Sequence, residues 1–225
     1  MKRGIETGGI YHIYNRGVEK RKVFLDENDH LRFVSDLFEF NDKNPVINLN
    51  YHPIKHVLET KLPKEEIVEI LAFCLMPNHF HLLLRQKEEK GIAEFMQKMG
   101  TGYTNYFNKR YNRVGSLFQG KYKSVGVTTD AHLLHLPYYI HSNPLDLVAP
   151  KWRKGEIENY KKAITFLEQY RWSSYLDYIG KTNFPSITQR KFILSLFRNE
   201  KEYKKEMLKW LKERSFESVE TLALE

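Results

Sequence analysis

EIVEILAFCLMPNHFHLLLRQ, residues 66–86, is two apolar runs interrupted by Met76-Pro77-Asn78. Runs of β-branched, aromatic and aliphatic residues bounded by a Pro-Asn turn predict two antiparallel strands, the second from His79 to Arg85. Residues two apart on a strand project from the same face, so His79 and His81 share one side of the second strand and Phe80 and Leu82 the other.

Outward from this hairpin the periodicities alternate. GIYHIYN, residues 9–15, predicts a first strand closed by the turn Arg16-Gly17. Leu31, Phe33, Val34, Leu37 and Phe38 recur at helical spacing within Asp29 to Phe40. Residues 41–66 carry no clear period and predict a loop with a short strand near Val46 to Asn50. Beyond the hairpin, Ile92, Phe95, Met96, Met99, Tyr103, Tyr106 and Phe107 predict a long helix from Gly91 to Tyr111, ended by the basic turn Lys109 to Arg113. Residues 116–128 look extended, and Thr128, Thr129 and Asp130 are candidate N-caps for a helix through Asn143. Strand, helix, strand, strand, helix, strand is the order of a ferredoxin-like α+β unit. The expectation is an antiparallel sheet with helices on one face (residues 1–150), followed by a helical, basic C-terminal extension (151–225) with helical patches at Glu156 to Arg171 and Gln189 to Arg214.

With 225 residues and 41% hydrophobic content, the chain is long enough to bury a core. Lys and Arg total 36 against 28 Asp and Glu, a net charge of +8 that favours polyanions through counterion release. The single cysteine, Cys74, lies in the apolar run Ile70 to Met76 and reads as a buried small hydrophobe, which excludes disulfides and cysteine-based zinc sites. No segment approaches the ~20 apolar residues of a membrane span, and the N-terminus lacks a signal-peptide core, so a cytoplasmic protein is expected.

The chemistry concentrates in few residues. His79 and His81 can grip one cation together from their shared face. Tyr139 and Asn143, four apart in the last predicted helix, lie on one side of it. Two imidazoles, an amide oxygen and a phenol form a coherent set for phosphoryl transfer, with neutral ligands that leave a divalent ion its full charge and open positions for phosphate oxygens. A phenolic nucleophile stores the phosphodiester bond energy, so a DNA hydroxyl can later reverse the step without ATP. Pro137 inside the helix is expected to kink or restart it, and Asn143 before Pro144 to leave the α region. His135, one turn before Tyr139, and His12, on the first strand, are ambiguous between packing and catalysis. Arg16 is a candidate phosphate contact. Tyr106, Phe107, Lys109, Arg110, Tyr111, Arg113, Lys121, Tyr122 and Lys123 interleave cations with rings, a pattern suited to unstacked DNA, although some of these rings must face the core.

The strings MPNHFHLLL (76–84) and YIHSNP (139–144) resemble the histidine-hydrophobe-histidine and tyrosine motifs of the HUH transposases. YHIYNRG (11–17), YFNKRYNRVGSLFQGKYKS (106–124) and YRWSSYLDYIG (170–180) extend the likeness, and the ensemble over roughly residues 8–180 resembles the REP-associated tyrosine transposases. The resemblance implies magnesium or manganese as cofactor and cleavage of single-stranded, hairpin-forming palindromic DNA through a 5′-phosphotyrosine intermediate. It implies His79, His81 and Asn143 as metal ligands and Tyr139 as nucleophile, in a monomer or homodimer. Two other readings compete. A non-catalytic single-stranded nucleic-acid-binding protein on the same scaffold would need neither metal nor tyrosine, but GKYKSVGV lacks the two stacking rings of RNA-recognition sheets. A zinc hydrolase would need a third histidine or a carboxylate ligand and a general base.

Overall fold

The computed structural model describes residues 5–44 and 65–213; the strand expected near Val46 to Asn50 lies outside them. Four strands, β1 (Ile10–Arg16), β2 (Val68–Met76), β3 (His79–Gln86) and β4 (Lys123–Gly126), form one antiparallel sheet in the order β2-β3-β1-β4. Helix α1 (Glu27–Glu39) connects β1 to β2, and α2 (Gly91–Arg110) connects β3 to β4. This is the ferredoxin-like α+β arrangement expected from the element order. Met76 pairs with His79 across the two-residue turn, and β3 runs antiparallel to β1 with Tyr14 opposite His81 and His12 opposite Leu83.

The helices cover both faces of the sheet, where one face was expected. The reason lies in β2 and β3, whose residues are buried almost without alternation. A strand apolar on both sides must be covered on both. On the first face, Ile13, Phe73, Leu75, Phe80, Leu82 and Leu84 meet Phe33, Val34 and Leu37 of α1 and Ile92, Phe95 and Tyr103 of α2. The two helices approach closely, and a methyl group at Gly102 would run into the Phe40 ring. Arg110 ties them electrostatically through Asp29 at 3.0 Å and Asp26 at 2.6 Å. Each large buried side chain contributes about 1.5–3 kcal/mol and a partly exposed ion pair about 1 kcal/mol or less, so the apolar contacts dominate this layer.

The second face carries α3 (Asp130–Ser142), α4 (Tyr160–Leu167), the single-turn helices α5 (Tyr175–Tyr178) and α6 (Lys191–Leu194), and α7 (Glu200–Glu213). The boundary drawn at residue 150 does not divide the packing. Trp152, Leu167, Tyr178, Tyr203 and Met207 share a core with Leu71, Cys74 and Leu83 of the sheet and Tyr139 of α3. The outer edge of β2 is also bonded by this region, Leu75 N–H donating to Trp172 O (2.8 Å) and Ser174 N–H to Phe73 O (3.0 Å). Among the described residues, no helix is long and apolar enough to cross a membrane.

Candidate active site

The hairpin fixes the histidines. The Asn78 amide donates to Lys20 O at 3.2 Å, which aims its Oδ1 at the His79 ring, 2.6 Å from Nδ1. Nδ1–H of His79 therefore donates, which puts the ring's lone pair on Nε2. His81 follows two residues on, its ring 5.0 Å from that of His79 and completely buried. Its Nδ1 lies 2.9 Å from Nε2 of His12, a buried β1 residue whose ring is inclined by only 20° to it, with centroids 5.1 Å apart.

Helix α3 brings the phenol to the same face. The side chain of Thr129 accepts from His132 N–H at the N-terminus, and the helix runs on through Pro137 to Ser142, so the proline does not restart it. The Tyr139 ring stands edge-on to His81, with centroids 6.1 Å apart, and to His12 at 6.3 Å. On its other side lie the Trp152 ring at 5.9 Å and the Arg153 guanidinium, 5.6 Å above the ring centre. Tyr138 points elsewhere, into Tyr203, Trp210 and Phe197, where burial raises its phenol above the ordinary value. His135 packs with Tyr138 and Trp210.

Asn143 keeps αR geometry (φ −51°, ψ −37°) although it precedes Pro144. Its Nδ2 donates to Tyr139 O at 2.9 Å, a capping bond that offsets the pre-proline strain, and its Oδ1 accepts from Arg153 at 2.8 Å. An oxygen already facing a guanidinium is poorly disposed to a divalent cation. The two imidazoles thus fit a metal, whereas Asn143 fits only after a turn away from Arg153. Among the described residues no group of three or more His, Cys, Asp or Glu is arranged to hold a metal ion.

Of the expected DNA contacts, Arg16, Lys121 and Lys123 gather with His79, Tyr14 and Asn15 around a pocket of about 110 Å³. The others lie apart, at the end of α2: Arg110 is committed to Asp26, Asp29 and Tyr106, Arg113 donates to Asn108 at 2.8 Å, and Lys109 is exposed. A larger groove, about 760 Å³, borders α2 and the 115–122 loop and contains neither histidine nor Tyr139. Sequence reasoning missed Asn78 and Arg153 as members of this constellation. Asn78 was visible as the turn residue preceding His79, while Arg153 carried no local signal.

Residues 9–143 match the family described as "Transposase IS200 like". No curated protein matches the sequence. Among solved structures, the fold is similar to one described as "Structure of the REP associates tyrosine transposase bound to a REP hairpin", with a TM-score of 0.50 and 12% identity over 83% of this chain and 88% of that one. At that identity the likeness concerns the fold.

Proposed function

The chain belongs to the IS200-like transposase family, and from that premise we propose that it is a metal-dependent endonuclease and strand transferase of single-stranded DNA, with Tyr139 as its nucleophile. The observation that carries the reading is the 6.1 Å approach of the Tyr139 ring to His81 on the sheet face that also bears His79. A phosphodiester seated there meets nucleophile and imidazoles at once.

In this reading His79 and His81 hold the cation through Nε2, and Asn143 joins them if it leaves Arg153. Mg²⁺ or Mn²⁺, when bound, neutralises charge on the scissile phosphate. The Tyr139 oxygen attacks phosphorus; as the new O–P bond forms, the bond to the 3′-oxygen breaks, the phenol loses its proton and the departing oxygen takes one up. A 5′-phosphotyrosine and a free 3′-hydroxyl result, and attack by a 3′-hydroxyl reverses the step. Arg16, Lys121 and Lys123 guide the backbone toward His79. The hairpin in the similar solved structure makes a hairpin-forming single strand the first substrate to try.

Labelled hairpin oligonucleotide with Mg²⁺ should give a denaturant-resistant protein–DNA adduct, lost with chelator or in Tyr139→Phe and kept in Tyr138→Phe. Loss in Tyr138→Phe with retention in Tyr139→Phe overturns the assignment. The Arg153 contact to Asn143 Oδ1 favours a second reading, a non-catalytic nucleic-acid binder. It requires undiminished DNA binding in chelator and no adduct with either metal.

A further inference from the structure

We propose that His12 is a positioning residue that fixes the ring tautomer of His81, so that Nε2 of His81 presents a lone pair to the cation. The inference rests on the reading of His79 and His81 as ligands. His12 and His81 are not cross-strand partners: His12 stands opposite Leu83, and its ring reaches diagonally to His81. The two rings are fully buried and inclined by only 20°, with His12 Nε2 and His81 Nδ1 2.9 Å apart.

One proton lies between those nitrogens when both rings are neutral. If His12 donates it, His81 must carry its own proton on Nε2 and cannot ligate. If His81 Nδ1–H donates, Nε2 bears the lone pair. Asn78 imposes the second state on His79, because an amide oxygen only accepts. A His12 protonated on Nδ1 would impose the same state on His81, and the two ligands would then present equivalent nitrogens. A cation on Nε2 withdraws charge from the ring and strengthens the Nδ1–H donor, so ion and partner reinforce one tautomer. Outer partners of this kind typically change metal affinity ~10–100-fold.

The test uses the full chain, Mn²⁺ and ¹⁵N-histidine NMR. In metal-free protein above the histidine titration range, His81 should be the Nδ1–H tautomer; in His12→Phe it should shift toward the Nε2–H form that neutral imidazoles favour in water. Mn²⁺ affinity should fall about tenfold or more in His12→Phe. His12→Gln, whose amide oxygen reaches the position of Nε2, should restore both. Unchanged tautomer and affinity in His12→Phe overturn the proposal, as does His12→Gln behaving like His12→Phe, which would mark His12 as packing alone. If His79→Ala and His81→Ala leave Mn²⁺ binding intact, the ligand reading fails, and the proposal for His12 fails as cation control. The metal-free spectrum then still reports which ring donates.

Discussion

Tyr139 and its neighbour Tyr138 show how much one position on a helix decides. Successive residues are turned about 100° around the axis, and here that turn separates a ring beside His81 from one enclosed by Tyr203 and Trp210. His81→Ala should lower the cleavage rate by about a hundredfold or more if electrostatic stabilisation of the phosphate is its role, measured in single turnover with saturating DNA. DNA affinity in chelator should stay unchanged. That His79 shares a face with His81, and Tyr139 with Asn143, was legible from spacing because both intervals, two on a strand and four on a helix, are local, whereas the roles proposed for them came from the resemblance. Arg153 over Tyr139 and the bond from His12 to His81 were not, since each joins residues whose nearness depends on tertiary packing or strand register.

Helix α3 is held to its surroundings through His141. Its Nδ1 lies 2.7 Å from the Tyr203 hydroxyl of α7, and its Nε2 lies 2.7 Å from Ser174 Oγ, beside β2. Burial pushes this imidazole down from 6.5 to about 3. It stays neutral in the fold, while the unfolded chain takes up a proton near pH 6.5. The stability this provides is complete above pH 6.5 and is lost as pH falls toward 3, at about 1.4 kcal/mol per pH unit. Between pH 6.5 and 5 the wild type should lose about 2 kcal/mol from this group. His141→Gln should be less stable at pH 7 yet decline less over that interval, which urea titrations at several pH values would measure. Strands β1 to β3 and helices α1, α2 and α3 were readable because each has a clear period or an N-cap, whereas of the stretch 116–128 expected to be extended only Lys123–Gly126 forms a strand. The facing of α3 was not, because a helix that buries Leu136, Tyr138, Tyr139 and Ile140 in succession has no single apolar stripe to declare its side.

Across the whole molecule, both halves of the proposed reaction centre come from one chain. Mixing His81→Ala with Tyr139→Phe protein should therefore restore no adduct, and recovery to about a quarter of wild-type yield, one intact site in each randomly formed heterodimer, would instead indicate exchange of helices between copies. The cluster at His79 predicts a graded electrostatic effect. Replacing Arg16, Lys121 and Lys123 together by Ala should lower the slope of log affinity against log salt by about 2, near 0.7 per lost contact on single strands. Arg110→Ala should instead lower thermal stability and leave that slope alone, since its charge is spent on Asp26 and Asp29. Residues 151–225 were expected as a helical, basic extension, but charge and helical period do not report whether helices share a core with what precedes them. The strand-edge bonds from Trp172 and Ser174 bear on inheritance as well as on packing. A premature stop codon just upstream of them would strip the sheet's border and the rings of Tyr203 and Trp210 that enclose Tyr138, so such an allele should behave as a complete loss of the protein, not as a mild regulatory variant.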